Sequence, residues 1–450
     1  MIRVVPKAEL PLPPASERQT PSDGLLRLPV VEAGSLRGGV LADDSLIDVL
    51  ASIRDGAQSR PDVHARTGLG RGVVAQRVRD LLDRGLVTDR EVGPSTGGRP
   101  PRQLRFNADV GRLLVAFVGA TSLDVAITDV TGAIIEQHAE ESDVASGPAP
   151  ILERIEELFD ELLTRHRTAR LWGIGIGIPG PVEFDTGRPV APPIMPGWDR
   201  YPIRPRLTER YGVPVWVDND ANVMALGEWR HGVAQGHNNV IFVKIGSGIG
   251  AGLISDGLLH RGAQGSAGDV GHVQVTDDAA ILCRCGNRGC LEAIVGGTAL
   301  AREGERAARE GRSPWLADVL RRTGTITARD LSDGGSYGDQ TSIELLQTCG
   351  TLVGKMLASM VNFFNPSLIV LGGGVANAGD LLLASTRQAI YGRSLPLATR
   401  TLEVRTSELG DLAGLLGAAT MVLDELLSRE LLPRWLETGD PSAIAREANR

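Results

Sequence analysis

Near the start of the chain, apolar residues recur at helical spacing and predict three helices. Two apolar stripes define the first and the third helix: Leu46, Val49, Leu50 and Ile53, then Val73, Val74, Val78, Leu81 and Leu82. Between them, residues 61–66 form a short helical pattern that begins after Ser59, a favourable N-cap. Two short extended segments follow, at 85–88 and 103–106, on either side of a glycine- and proline-rich tip. This order predicts a winged helix-turn-helix at residues 41–107.

Beyond residue 111 the pattern changes to buried strands. Short apolar runs occupy 113–118, 123–128, 133–135, 171–178, 215–217, 240–245 and 368–371. The first three are joined by short turns and predict an antiparallel meander, and a long amphipathic helix follows them. Several later strands run directly into turns that are rich in glycine, or in Asp and Asn. Because α/β folds place ligands at such strand ends, this part of the chain is predicted to be an α/β domain with a binding site.

Length and composition limit the possible classes of protein. The 450 residues, 42% of them hydrophobic, are enough for two to four domains with apolar cores. No run approaches the roughly 20 apolar residues of a membrane-spanning helix, and the N-terminus lacks a signal-peptide pattern, so we expect a cytoplasmic protein with no membrane partner. Residues 1–40 are rich in proline and glycine without periodicity and predict a disordered tail, and residues 430–450 are interpreted as a C-terminal tail.

The net charge of −8 conceals a basic segment at residues 51–108, which contains eleven arginines and six acidic residues. A basic module on an acidic protein is typical of a domain that binds a polyanion such as DNA, although arginines on solvated helix faces give the same count. Candidate DNA contacts lie on the helix assigned to the major groove and on the wing: Arg71, Gln76, Arg77, Arg79, Arg99 and Arg102. That helix opens after Gly70, which supplies no hydroxyl cap.

Three of the four cysteines lie within eight positions of one another and follow a histidine. The four residues are His272, Cys283, Cys285 and Cys290. Three thiolates and an imidazole make the closed tetrahedral ligand set of a structural zinc site, and the glycines at 286 and 289 allow a tight loop around the ion. The alternative is a group of reduced thiols with a histidine nearby by coincidence. The pattern favours structural Zn²⁺ in a reducing compartment.

Two strand-end motifs have both a chemical and a structural interpretation. The glycine-rich turn at 246–252 can hold a phosphate with its backbone N–H groups, but glycines also follow strands for steric reasons alone. The run Asp218-Asn219-Asp220-Ala221-Asn222 offers a carboxylate that can take a proton from a hydroxyl group, but Asp and Asn are equally favoured at a helix N-cap.

The block from Gly246 to His272, together with Cys-Arg-Cys-Gly-Asn-Arg-Gly-Cys-Leu-Glu at 283–292, resembles the signature of the ROK family of repressors, open reading frames and sugar kinases. The resemblance extends over residues 41–428. It implies an α/β fold, in which the N-terminal winged helix-turn-helix is followed by a two-lobed actin-like ATPase (RNase H-like) domain. Lobe I would be residues 109–229 completed by the helix at 411–428, and lobe II would be residues 230–410 with the zinc loop at 272–290.

The resemblance also implies a sugar site between the lobes. Asn219 would hydrogen-bond the sugar, Asp220 would be the catalytic base in a kinase, and Asp269, His272 and Glu292 would contact sugar hydroxyls, with His272 also serving zinc. The turns that it implies for phosphate contain Gly119, Thr121, Gly246, Ser247, Gly248, Gly372 and Gly373.

Two residues depart from the pattern of the family kinases. The first strand of the family kinases ends in the motif Asp-x-Gly-x-Thr, whose Asp binds the Mg-ATP phosphates. This chain has Phe117 at the position of that Asp. Asp269 also stands where the family usually has Glu before Gly-His. Phe117 cannot bind Mg²⁺, so we expect no kinase turnover and no use of ATP and Mg²⁺. The competing interpretation is that Asp129 or another carboxylate in the cleft replaces the lost Asp.

Since the basic module precedes the kinase-like domain, the chain is interpreted as a sugar-responsive transcription regulator of the ROK family. Its expected partners are a double-stranded DNA operator, a sugar or sugar phosphate, and further copies of itself in a homodimer or homotetramer. One alternative is an active ATP-dependent sugar kinase, similar to a glucokinase, with an accessory DNA-binding domain. Another alternative is a regulator that responds to binding of a partner protein rather than of a small molecule. The sequence does not identify the sugar, the operator, or the direction of the response.

Overall fold

A computed structural model of the protein describes residues 40–91, 102–166 and 170–448, and begins with the predicted three helices and two strands. These elements are α1 (Val40–Arg54), α2 (Arg60–Thr67), α3 (Arg71–Asp83), β1 (Val87–Glu91) and β2 (Arg102–Phe106). The strands pair antiparallel, with Val87 opposite Phe106. The Ser59 hydroxyl accepts a hydrogen bond from the amide of Asp62 at 3.2 Å and caps α2 as expected. The predicted tail at 1–40 and the wing tip with Arg99 lie outside the described residues, apart from the first residue of α1.

The first half of the α/β body contains a five-stranded sheet in the order β5-β4-β3-β6-β9. Its elements are β3 (Arg112–Val118), β4 (Ser122–Asp129), β5 (Ile134–Glu141), α4 (Pro148–Arg165), β6 (Leu171–Ile178), β7 (Val182–Glu183), β8 (Arg188–Pro189), α5 (Ile203–Tyr211), β9 (Val215–Asn219) and α6 (Asp220–His231). Strands β3 to β5 form the predicted antiparallel meander, and β6 and β9 are added in parallel.

The second half contains a sheet in the order β12-β11-β10-β13-β14. Its elements are β10 (Val240–Ile245), β11 (Ile249–Ser255), β12 (Leu258–Leu259), α7 (Leu291–Val295), α8 (Gly297–Arg309), α9 (Pro314–Thr323), α10 (Ala328–Ser336), α11 (Gln340–Phe364), β13 (Leu368–Gly372), α12 (Asp380–Tyr391), α13 (Pro396–Thr399) and β14 (Glu403–Thr406). Both sheets thus consist of an antiparallel meander followed by two parallel strands, so β10 occupies the position in its sheet that β3 occupies in the other.

Three helices close the chain: α14 (Leu412–Leu426), α15 (Leu432–Leu436) and α16 (Ser442–Ala448). Helix α14 returns to the first sheet and crosses α6 so closely that a Cβ on Gly417 would meet the carbonyl oxygen of Val223 at 1.7 Å. Only glycine permits this approach.

The interpretation of residues 430–450 as a tail differs from the structure. Trp435 is 1% exposed, packs edge-on against Trp172 with 5.2 Å between ring centroids, and donates from its indole nitrogen to the carbonyl of Leu426 at 2.8 Å. Helices α15 and α16 are too short to show a periodic pattern in the sequence, and they are held by tertiary packing rather than by local propensity.

The winged helix-turn-helix is fastened to the body by charged contacts. Arg54 of α1 pairs with Asp424 of α14 at 2.8 Å, and Asp55 pairs with Arg230 of α6 at 2.7 Å. Arg429 pairs with Asp48 at 2.6 Å on the same side. The N-terminal module of α1–α3, β1 and β2 therefore contacts helices α6 and α14. Within the part of the chain that the structure describes, no helix is both long and apolar enough to cross a membrane.

Candidate functional site

A cavity of about 340 Å³ lies where the glycine turns of the two sheets meet the N-terminus of α6. It brings together the predicted ligand residues, namely Asn219, Asp220, Asp269, His272 and Glu292, with Thr121, Ser247 and Gly248 of the predicted phosphate turns. Residues more than 170 positions apart thus line one space, whose size is typical of small-molecule sites.

The other predicted phosphate-turn glycines are explained by packing. A Cβ on Gly372 would lie 2.5 Å from the Phe242 ring, and Gly373, with φ at +87°, lies against the carbonyl of Ile245. The amide of Gly119 closes its hairpin by donating to Ser122 at 2.8 Å, and that of Gly246 donates to Gly248 at 2.9 Å. Among the described residues these four glycines do not line the cavity, and the steric interpretation of glycine turns holds for Gly372 and Gly373.

Asn219 is in the first instance the N-cap of α6. Its side-chain oxygen accepts from the amides of Ala221 and Asn222 at 2.9 and 3.3 Å, and its amide nitrogen donates to the carbonyl of Gly180 at 2.8 Å. One amide N–H remains for a ligand. The N-cap and the ligand-binding interpretations of the Asp-Asn-Asp run are therefore compatible, because capping of α6 fixes the Asn219 side chain at the cavity wall.

Asp220, the first residue of α6, is buried and forms an ion pair with the ammonium of Lys244. The Lys244 nitrogen also lies 5.6 Å from the centroid of the Phe117 ring, within range of a cation–π contact. Sequence reasoning missed Lys244. A signal was present, since this chain has only three lysines, and one of them stands on a buried strand beside the glycine turn.

Asp218 has a structural role that the motif did not reveal. It is 1% exposed and accepts from the guanidinium of Arg261 at 2.7 Å and from the side-chain amide nitrogen of Asn222 at 2.9 Å. The Arg261 guanidinium also stacks 3.6 Å from the centroid of the Phe184 ring. This contact anchors the start of the 261–269 loop, which forms one wall of the cavity.

Glu292 lies in the first turn of α7 and holds the glycine turn in place. Its Oε2 accepts from the amide of Ile249 at 2.9 Å, and a Cβ on Gly248 would come within 2.4 Å of that oxygen. A side chain at 248 would displace this carboxylate from the turn. The other carboxylate oxygen has no protein partner among the described residues and is available to a ligand hydroxyl.

The predicted metal ligands converge. The ligand atoms of His272, Cys283, Cys285 and Cys290 all lie within 4.8 Å of one another. The Cys285 and Cys290 sulfurs are 3.8 Å apart, and the Cys283 sulfur is 3.5 Å from His272 Nδ1. A tetrahedral zinc with ordinary bond lengths requires about 3.8 Å between sulfurs and about 3.6 Å from sulfur to nitrogen, so the residues fit the ion. His272 Nε2 points away from the cluster, 3.7 Å from an Asp269 oxygen.

Helix α3 exposes most of the predicted DNA contacts. Arg71, Gln76 and Arg79 are exposed. Arg77 is not on that face, because its guanidinium donates to the Ser45 hydroxyl at 2.8 Å and pairs with Asp80 at 3.0 Å. The spacing of the buried residues Val74, Val78 and Leu81 already places position 77 at the edge of the buried stripe. On β2, the exposed Arg102 pairs with Asp89 at 3.3 Å.

Phe117 has become part of the core. It is 7% exposed, and its ring lies against Gly177 and Gly414, where any Cβ would come within 2.9 and 2.4 Å of it. Asp129 was the suggested replacement for the carboxylate at position 117. Its Oδ1 instead accepts hydrogen bonds from the backbone amides of Thr131 and Ala133, at 2.8 and 3.1 Å, in the turn after β4. Asp129 does not line the cavity formed by the described residues, so it does not replace the missing carboxylate.

The family profile described as "ROK family" matches residues 116–425. The chain belongs to the ROK family. A glucokinase of Halalkalibacterium halodurans is 33% identical over 315 residues, which cover 70% of this chain and 95% of that kinase. A xylose repressor of Caldicellulosiruptor bescii is 29% identical over 374 residues, which cover 82% of this chain and 92% of that repressor.

Among solved structures, a ROK family transcriptional regulator described as a homolog of the Escherichia coli Mlc protein superposes with a TM-score of 0.74. It is 26% identical and covers 88% of this chain and 100% of its own. The predicted α/β ROK fold is therefore confirmed.

Proposed function

We propose that this ROK protein is a sugar-responsive, DNA-binding transcription regulator that has lost sugar kinase activity. The observation that carries the proposal is the pairing of two features in one chain: a winged helix-turn-helix, and a ligand cavity whose Mg-ATP carboxylate is replaced by the buried Phe117. The similarity to the repressor extends over more of the chain than the similarity to the kinase, which is what an added N-terminal module produces.

The proposed DNA contacts are the exposed side chains of α3, Arg71, Gln76 and Arg79, supported by Arg102 and Arg99 on the wing. The first three can reach base edges in a major groove, whereas wing arginines contact phosphates or a minor groove. Two modules in a homodimer or homotetramer would read a palindromic operator in double-stranded DNA.

A structural zinc ion is proposed for His272, Cys283, Cys285 and Cys290. The four ligands leave no open position for water, so the ion would brace the loop rather than take part in chemistry. His272 would then be held by the metal through Nδ1 and would present Nε2 toward the cavity. This arrangement links the loop to the proposed sugar contacts of Asp269 and Glu292.

Helix α6 offers a direct route between ligand and DNA. Its first residue, Asp220, lies in the cavity, and its last turn holds Arg230, which pairs with Asp55 of the DNA-binding module. Twelve residues of helix span about 18 Å, so a shift imposed at Asp220 reaches the module through one rigid element.

The test of this function uses the full chain and DNA fragments selected by that chain from its own genome. Arg71→Ala and Arg79→Ala should each weaken binding by about 1 to 3 kcal/mol and lower its dependence on salt. Arg321→Ala, a change of the same charge on an exposed helix of the second half, is the matched control and should bind normally. Equal affinity of all four proteins would contradict the assignment of α3.

The kinase alternative is favoured by the retention of Asp220 at the position of the catalytic base, by the glycine turn at 372–374, and by the 33% identity to a glucokinase. A coupled assay with ATP, Mg²⁺ and a sugar panel decides between the two. Robust turnover by the parent protein would establish the kinase and overturn the loss of activity proposed from Phe117.

A further inference from the structure

Val73 is an apolar side chain that the N-terminal module does not bury. The sequence pattern places it in the apolar stripe of α3, but the structure buries Val74, Val78 and Leu81 and leaves Val73 42% exposed. Successive residues of a helix point about 100° apart, so Val73 lies beside the buried stripe and not in it. Among the side chains of α1–α3, β1 and β2 whose exposure the structure describes, Val73 is the one exposed large hydrophobic residue.

Two glycines keep the start of α3 free of other side chains beside Val73. Gly70 is the N-cap of α3, and Gly72 is the second residue of the helix. A Cβ added at either glycine would meet no atom within 4 Å, and neither residue has a positive φ. Neither packing nor backbone conformation therefore requires glycine there. Because glycine is unfavourable inside a helix, its presence at 72 points to a partner that approaches the backbone closely.

Val73 lies within the proposed DNA-binding face of α3. Residues three or four apart are neighbours on a helix, so Gly72 and Val73 both adjoin Gln76. Arg71, Gly72, Val73 and Gln76 are all exposed. When a helix-turn-helix binds DNA, the N-terminal residues of the second helix contact base edges in the major groove. The first turn of α3 is therefore the part of the module that would come closest to the bases.

Valine has no polar atom with which to bond a base, so it can read only an apolar group. In unmodified DNA the major groove carries one kind of methyl group, the 5-methyl of thymine, beside hydrogen-bond donors and acceptors. We propose that Val73 is a specificity-determining residue that packs against a thymine methyl group in each half of the operator, and that Gly72 permits the close approach of the helix. This inference rests on the proposed function, to which it adds a base preference that phosphate contacts do not supply.

The experiment replaces thymine by deoxyuridine, one position at a time, in the genomic fragment that the full chain binds most tightly. Deoxyuridine keeps the base pair and its hydrogen-bonding groups and lacks only the methyl group. Fluorescence anisotropy measures the affinity of the full chain for each fragment. Since a buried methyl group contributes about as much as a buried methylene, replacing the contacted thymine should weaken binding about fourfold.

Val73→Ala should abolish this discrimination, so that the thymine and deoxyuridine fragments bind the variant equally. Val190→Ala truncates a valine of the same 42% exposure, which lies outside the module, and is the matched control that should keep the fourfold difference. Gly72→Ala adds a methyl group that meets no atom of the protein, so its melting temperature should not fall. Its affinity for the fragment should nevertheless fall, because the added methyl group would stand between the helix and the DNA. Circular dichroism checks that each variant is folded.

The outcomes separate this inference from the proposed function. If no deoxyuridine fragment binds the parent more weakly, or if Val73→Ala shows the same loss as the parent, Val73 does not read a methyl group. DNA binding then still stands on the results for Arg71→Ala and Arg79→Ala. Unchanged affinity of Gly72→Ala would overturn the close approach at Gly72. If the full chain selects no DNA fragment, DNA binding itself is contradicted and this inference with it.

Discussion

The two sides of the cavity differ in how much of the family pattern they keep. On the sugar side, defined by Asn219, Asp269, His272 and Glu292, each residue predicted from the family signature lines the cavity. On the phosphate side, defined by Thr121, Lys244, Ser247 and Gly248 together with the buried Phe117, this chain lacks the metal-binding carboxylate that the resemblance implies, and Lys244 pairs with Asp220. Recognition needs only well-placed hydrogen-bonding groups, whereas phosphoryl transfer also needs a metal ion and an in-line nucleotide.

The difference has a structural cause. Asn219, Glu292 and His272 each have a second role, in capping α6, holding the glycine turn and completing the metal cluster, so their loss would also disturb the fold. Phe117, in contrast, fills the space beside Gly177 and Gly414 and contributes apolar packing. Under the proposed function, a change at this one strand-end position removes the metal carboxylate without disturbing the proposed ligand contacts.

The largest expected effect comes from breaking the sugar side at its metal cluster. Cys285→Ser should reduce bound zinc from one ion per chain to a trace, because a structural site depends on all four ligands. The loop that carries His272 and leads to Glu292 should lose its order, and ligand affinity should fall by at least about tenfold. Elemental analysis and calorimetry of the purified protein provide the two measurements.

Cys349→Ser is the control, because Cys349 is buried away from the cluster and its sulfur contacts the carbonyl of Val295 at 3.5 Å. It should retain zinc. If freshly purified parent protein contained no zinc, the fit of the four side chains to the ion would have no functional meaning.

The phosphate side can be tested by rebuilding it. Phe117→Asp removes a buried ring and should destabilise the protein by roughly 3 kcal/mol or more. It should not restore turnover by itself, because the new carboxylate would pair with the nearby Lys244 ammonium instead of binding Mg²⁺. Only the double variant Phe117→Asp with Lys244→Met frees both the metal carboxylate and Asp220, so sugar-dependent ATP hydrolysis should appear there alone.

Lys244→Met by itself is the matched control for this series, and it should remain inactive. Turnover in the single variant Phe117→Asp would show that Lys244 does not restrain the site. Thermal unfolding of the parent, the two single variants and the double variant shows whether a variant without activity is still folded.

A smaller change on the sugar side is Glu292→Gln, which keeps the size of the side chain and its hydrogen bond to Ile249. It replaces a charged acceptor with a neutral one, so the binding free energy of the ligand should weaken by about 1.4 to 2.8 kcal/mol, a roughly tenfold to hundredfold loss of affinity. DNA affinity without ligand should not change, because Glu292 lies in the cavity and not on α3. Fluorescence anisotropy of labelled operator DNA measures the DNA affinity without ligand and, in a titration with ligand, the ligand affinity. A parallel loss of DNA affinity would contradict the separation of the two sites.

The sequence predicts the sugar side better than the phosphate side for a physical reason. Asn219, Asp220 and the Cys-rich loop belong to short local motifs, in which strand ends and residue types determine the chemistry. The pairing of Lys244 with Asp220 and its approach to Phe117 depend on how two sheets face each other, which no local pattern encodes. The sequence did not show that the Arg77 guanidinium bonds to Ser45 of α1 and to Asp80, because the contact with Ser45 depends on how α1 and α3 pack. Helix α15 was missed because a five-residue helix held by Trp435 has no periodicity of its own.

The smallest effect concerns the carboxylates left behind on the phosphate side. Asp124 lies opposite Phe117 in the β3–β4 pair, and burial together with the nearby charge of Asp411 raises the pKa of Asp124 to about 6. The native state therefore binds this proton more tightly than the unfolded chain, so the stabilising contribution is complete below about pH 4 and is lost as the pH rises through about 6. Asp124→Asn cannot ionise and should raise the melting temperature at pH 8 by about 1 to 2 °C, with little change near pH 4, since partial exposure to solvent weakens the effect. Asp411→Asn removes the other charge and should act in the same direction at pH 8. A gain of equal size at both pH values would mean that the variant stabilises the sheet by another route, and that the phosphate side carries no residual charge repulsion.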